Sequence, residues 1–151
     1  MGCPWRRTAG VGTTLPDAII ETDGLTRIFG SRKAVGELTF TVGRGETVAL
    51  LGTNGSGKTT TMRMLCGYLP PTEGTARVDG FDVLSHSLDV RRAVGYLPED
   101  VPLYKDLTIT DSLRFFGRLR KMDGARLDPR IDEVVEQVGM SAYRDVLIGK
   151  L

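Results

Sequence analysis

Gly52-Thr53-Asn54-Gly55-Ser56-Gly57-Lys58-Thr59 is the stretch on which the fold turns. It fits the pattern G-x-x-x-x-G-K-[ST] in full. Before it, Thr47–Leu51 is a short continuous apolar run, which predicts a strand buried on both faces. After it, a helix is expected from about Lys58 to Cys66, ending near Gly67 and ahead of Pro70-Pro71. Glycines let the backbone turn so that successive N–H groups point inward at an anion, and the helix N-terminus adds partial positive charge there. Lys58 can reach the β- and γ-phosphates of a nucleotide, and the Thr59 hydroxyl can ligate Mg²⁺. The bland alternative is a chance Gly-rich turn. The complete pattern, set between strand and helix, argues against it.

Outward from the loop, the chain reads as α/β. Ala18–Thr22 and Glu37–Val42 are expected strands, the second alternating as Leu38, Phe40 and Val42 with Thr39 and Thr41 between. Thr75–Val78 and Val94–Leu97 are further short strands by the same reading. The last third is helical. Thr108 with Asp111 resembles a capping box and opens a helix to about Met122, with Leu113, Phe116 and Leu119 on one face. Asp128 is the expected N-cap of a last helix, with Pro129 at its first position. Ile131, Val134, Val135 and Val138 fall at helical spacing, and Gly139 closes that helix. Residues 1–16 are rich in Gly, Thr and Arg without any period and read as a disordered leader, leaving 17–151 as the patterned domain.

Composition narrows the class further. The 151 residues carry 20 basic and 19 acidic side chains, a net charge of +1, so no field favours nucleic acid or an anionic membrane as a direct partner. Apolar runs fall far short of a membrane span. Neither a secretory leader nor a myristoylation signal is legible at the start, where Arg6 stands at the position that needs Ser or Thr. Cytoplasm is the expected compartment. Cys3 and Cys66 are too few for a disulfide or metal framework, and Cys66 reads as small core filler.

Four segments together resemble the ATPases of ABC transporters. Asn54-Gly55-Ser56-Gly57-Lys58-Thr59-Thr60 is similar to that family's phosphate loop, and Leu25-Thr26-Arg27-Ile28-Phe29-Gly30 to the segment that sets an aromatic against adenine. Val94-Gly95-Tyr96-Leu97-Pro98-Glu99-Asp100 resembles the strand and loop bearing the family's Q-loop, with Glu99 where the family has glutamine. Pro102-Leu103-Tyr104 and Leu107–Leu113 resemble the start of the helical subdomain, placed from about residue 101, in wording closest to exporter-type members. The resemblance implies a P-loop NTPase core that binds ATP and Mg²⁺. Its nucleotide-binding residues would be Gly52, Thr53, Asn54, Gly55, Ser56, Gly57, Lys58, Thr59, Thr60 and Phe29, with Thr59 and Glu99 toward the metal. It also implies a membrane permease and a second ATPase subunit as partners, and a place at the inner face of the membrane through that permease. Two readings stand for Phe29, an adenine platform or a core residue. Two also stand for Glu99, a metal-side carboxylate or a solvated acidic turn.

The resemblance is incomplete. The family's Leu-Ser-x-Gly signature, its apolar strand ending in Asp-Glu and its switch histidine have no counterpart, and the one histidine, His86, lies upstream and reads as a surface residue. The expectation is an N-terminal part of the ATPase domain, ending before the signature, that binds ATP without hydrolysing it. A nucleotide-binding module without catalysis (vestigial or regulatory) and a non-transport ABC protein are the competing readings.

Overall fold

The computed structural model describes residues 17–151, so the leader expected over 1–16 lies outside the described residues. Two units are resolved by their contacts, one running up to Tyr96 and the other from Leu97 to Leu151.

The first unit is built on a long hairpin. Strand β1 (Ala18–Phe29) pairs antiparallel with β2 (Arg32–Gly43) and, on its other edge, with β3 (Glu73–Val78). A two-residue β4 (Phe81–Asp82) completes the order β2-β1-β3-β4. β1 is longer than the Ala18–Thr22 expected because Gly24 breaks the alternation without ending the pairing. Two threonines satisfy the backbone across that irregular stretch. The Thr22 hydroxyl accepts from Phe40 N at 2.9 Å and donates to Phe40 O. Buried Thr26 accepts from Glu37 N at 2.9 Å and donates to Gly24 O. Helix α1 (Lys58–Leu65) lays Thr61, Met64 and Leu65 onto this sheet, a face spaced i, i+3, i+4. Met64 and Leu25 are fully buried at its centre, with Val90 of α2 (Ser87–Ala93) closing the core. Gly67 ends α1 at φ +69°, returning its N–H to Met64 O at 3.0 Å.

Two expected strands are absent. Among the described residues Thr47–Leu51 and Val94–Leu97 pair with no strand, and neither forms one. Val48 is 53% exposed, Leu51 74% and Leu97 81%. A continuous apolar run becomes a buried strand only with neighbours on both edges. The four strands described here all belong to the antiparallel sheet, and none flanks these segments.

In the second unit, Thr108 caps α3 (Ile109–Leu119) as expected: its hydroxyl accepts from Asp111 N at 3.0 Å and donates to the Asp111 carboxylate at 2.8 Å. The helix stops at Leu119, short of Met122, and of its expected face only Leu113 packs inward; Phe116 and Leu119 are exposed. Helix α4 (Gly124–Gln137) starts earlier than the Asp128–Pro129 pair suggested. Asp123 is the N-cap, accepting from Ala125 N at 3.1 Å, and Pro129 lies inside the helix. The reason is in the apolar face: Leu127, Ile131 and Val135 are buried at i, i+4, i+8, so the helix must include Leu127. Asp128 turns outward instead, accepting from Arg114 at 2.9 Å. The chain end returns to α3, where both the backbone N–H and the hydroxyl of buried Thr110 donate to Arg144 O at 3.0 Å.

Candidate phosphate-binding site

The loop from Gly52 to Gly57 is anchored where β2 begins. Gly57 sits at φ +93°, and a Cβ there would lie 2.5 Å from Ala34 O and 2.9 Å from Val35 Cγ2. Only glycine permits both that conformation and that approach. Gly55, at φ +80°, gives the loop its second reversal, and Ser56 N donates to Thr53 O at 3.2 Å to close the turn.

α1 grows from this loop with its first donors unanswered. Gly57 is the N-cap and offers no side-chain acceptor, and the first turn contains no acidic residue. The helical ladder begins only with Thr61 N, which donates to Gly57 O at 2.8 Å. The N–H groups of the first helical turn therefore face the loop without a side-chain cap, at the positive end of the helix dipole. The Ser56 hydroxyl is buried beside them with no hydrogen-bond partner among the described residues. Lys58 folds back along the loop, its Nζ donating to Gly52 O at 2.7 Å and Thr53 O at 2.8 Å. An ammonium held by two neutral carbonyls has no countercharge of its own. Beneath it is a cavity of about 20 Å³, bounded by Leu50, Ser56, Lys58 and Thr61, which is room for one water. Thr59 is exposed on the first turn and Thr60 half-buried behind it, while Asn54 is exposed at the apex.

The remaining predicted residues are placed unequally. Phe29 is 46% exposed at the end of β1. It pairs with Arg32 at the end of the hairpin whose next residues, Ala34 and Val35, receive Gly57, so the aromatic and the loop share one scaffold. Sequence reasoning missed Arg27. Its guanidinium carbon lies 4.6 Å from the Phe29 ring centroid, and its Nη1 donates to Pro70 O at 2.8 Å. The i, i+2 spacing of Arg27 and Phe29 on one strand face was the signal available. Glu99 lies on an exposed bend of the second unit. His86 is exposed at the start of α2, its Nδ1 2.9 Å from Ser85 Oγ. Burial pushes the Cys66 thiol above its ordinary value, consistent with an inert core position.

A glycine-rich loop that carries a lysine and delivers an uncapped helix N-terminus is the arrangement of P-loop nucleotide-binding folds. A profile described as "ABC transporter" matches residues 35–151. The chain belongs to the ABC transporter family, and its fold is an α/β P-loop NTPase core of that kind. It is 38% identical over 126 residues to the "Probable multidrug ABC transporter ATP-binding protein YbhF" of Escherichia coli, covering 83% of this chain and 22% of that one. Over 135 residues it is 38% identical to the "Daunorubicin/doxorubicin resistance ATP-binding protein DrrA" of Streptomyces peucetius, covering 89% and 41%. A solved structure described as "Structure of ATP binding subunit of ABC transporter" superposes with a TM-score of 0.73 at 27% identity, covering 85% of this chain and 54% of the other. The chain thus spans less than half the length of these two relatives. Family membership implies nucleotide binding. Among the described residues no helix is long and apolar enough to cross a membrane.

Proposed function

We propose that Gly52–Thr60 holds the triphosphate of Mg-ATP and that this chain is an ATP-binding part of an ABC transporter. The observation that carries the reading is the set of donors gathered in one loop: the uncapped first turn of α1, the buried and unpartnered Ser56 hydroxyl, and the Lys58 ammonium, held only by neutral carbonyls. Backbone N–H groups of the loop cradle the phosphates, Lys58 leaves the Gly52 and Thr53 carbonyls for them, and the Thr59 hydroxyl ligates Mg²⁺. Bound Mg²⁺ neutralises phosphate charge. Phe29 stacks adenine on the ring face opposite Arg27. By relationship to ATP-binding proteins of transport systems, the partners are a membrane permease and a second ATPase subunit, and the working place is the cytoplasmic face of the membrane.

Thermal unfolding of the 151-residue chain with and without Mg-ATP tests the site, with Lys58→Ala beside it. Because ATP binds the folded chain and not the unfolded one, a hundredfold excess over Kd stabilises it by about 2.7 kcal/mol. For a domain of this size that raises Tm by roughly 5–10 °C. Lys58→Ala should abolish most of the shift, and an equal shift in both proteins would remove the loop from the site.

A further inference from the structure

Arg32 stands at the tip of the β1–β2 hairpin, paired across it with Phe29 and two residues before the Ala34 carbonyl on which Gly57 rests. Its guanidinium Nη2 lies 3.6 Å from where a Cβ of Gly55 would project. The cation thus lies within van der Waals reach of the loop at Gly55, whose φ of +80° favours glycine at that turn. Arg32 is exposed and takes part in no ion pair among the described residues. Its neighbour Lys33, by contrast, meets Glu37 at 3.7 Å, and Arg27 is committed to Phe29 and Pro70. Exposed arginines commonly meet carboxylates in weak surface pairs, as Arg92 and Arg130 do here. This one instead lies over the glycine at the centre of the loop, on a strand whose pairing fixes its backbone.

We infer that Arg32 is a further phosphate-contacting residue of this site, supplying a second positive charge to the nucleotide's β- and γ-phosphates beside Lys58. The inference rests on the loop binding ATP, as proposed above. The chemistry suits the residue: a guanidinium presents paired N–H donors that match phosphate oxygens, remains charged at any working pH and is less strongly hydrated than an ammonium. Lys58 enters the loop from its helix end, and Arg32 reaches it from the hairpin. A triphosphate so held is gripped from two elements of one scaffold, while a monophosphate gains little from the second cation. Arg32 thereby adds to the preference for ATP and ADP over AMP that the cradle and Lys58 already give, whereas Phe29 adds none.

The test measures affinities of the 151-residue chain for ATP, ADP, AMP and inorganic triphosphate at two salt concentrations, in wild type, Arg32→Met, Arg32→Lys and Lys58→Ala. Arg32→Met should weaken ATP and triphosphate about three- to tenfold, the scale of a partly solvated charge-assisted contact. It should leave AMP unchanged and flatten the salt dependence, while Arg32→Lys recovers most of the loss. Since Arg32 is exposed, Tm without nucleotide should not move; if the methionine variant misfolds, Arg32→Gln replaces it. Wild-type ATP affinity in Arg32→Met, with Lys58→Ala impaired, overturns the role of Arg32 alone. Equal losses for AMP and ATP also overturn it, by tracing the effect to the adenine side of the hairpin. A wild type that binds none of the four overturns the loop reading and this inference with it.

Discussion

Gly57→Ala tests whether the loop is held by the hairpin. The added methyl meets two separate penalties. At φ +93° an L-residue is in left-handed territory, which costs about 1–2 kcal/mol. The methyl would also fall 2.5 Å from Ala34 O and 2.9 Å from Val35 Cγ2. Val35 is buried and paired with Arg27, so neither atom can simply swing aside, and displacing the loop or β2 costs about 1–3 kcal/mol more. The total is about 2–5 kcal/mol. Gly45→Ala is the matched control, because Gly45 has φ +79° but nothing within 4 Å. It should show only the conformational cost. Urea unfolding followed by circular dichroism, with hydrogen exchange at α1 amides to isolate this unit, reads the difference. If Gly57→Ala is no more destabilising than Gly45→Ala, the loop does not rest on Ala34 and the scaffold argument for Phe29 and Arg32 fails.

Asp123→Ala should cost about 1 kcal/mol as a lost helix cap, whereas Asp128→Ala, losing an exposed pair with Arg114, should stay within about 0.5 kcal/mol. The reverse order in urea midpoints would restore Asp128 as the helix start. Asp82 is held below its ordinary value of 3.8 chiefly by the Ser85 backbone N–H at 2.8 Å, against some desolvation. A carboxylate depressed in the folded state stabilises the fold above its unfolded value and loses that contribution as pH falls through the folded one. Asp82→Asn should therefore lower stability at pH 7 and lose that deficit as pH falls below about 4, so that the acid decline flattens, as midpoints across that range would show. Leu51→Ser should shift stability by less than about 0.5 kcal/mol, because the side chain is 74% exposed; a loss of several kcal/mol would mean that Leu51 is covered. These 151 residues should release phosphate from ATP at background rate, since each missing catalytic group costs about 10²–10⁴-fold. Turnover that vanishes in Lys58→Ala would refute this.

What could be read beforehand were features whose cause is local. The loop pattern, α1 with its Gly67 stop, the Thr108 cap and the alternation of β2 each follow from a few neighbouring residues. Errors came where a local signal competed with a longer one. Asp128-Pro129 is a sound helix start in isolation, yet burial of Leu127 with Ile131 and Val135 outweighs it, and Asp123 was available as a cap. β1 looked finished at Thr22 because nothing in a one-dimensional pattern shows that Thr22 and Thr26 hydroxyls will bridge its irregular register. Arg27 and Arg32 were invisible for a related reason: what they do depends on which ring and which glycine lie across from them.

The exposed run Thr47–Leu51 sharpens what positions the site. In a P-loop fold the strand before the loop is the natural candidate for its support. Here that segment pairs with no strand among the described residues, yet the loop keeps its reversals, its lysine contacts and its helix. Support must come from the other two attachments. One is Gly57 against Ala34 and Val35, and the other is the buried face of α1, where Met64 lies among the sheet residues with no exposed surface. A Met64→Ala cavity, costing about 2–5 kcal/mol, would therefore disturb the loop more than any change at Val48 or Leu51. The phosphate cradle is thus tied to the antiparallel sheet, the same sheet whose hairpin tip carries Phe29 and Arg32. That shared attachment is why the proposed base, phosphate and second-cation contacts form one unit even though the segment that leads into the loop is not a strand.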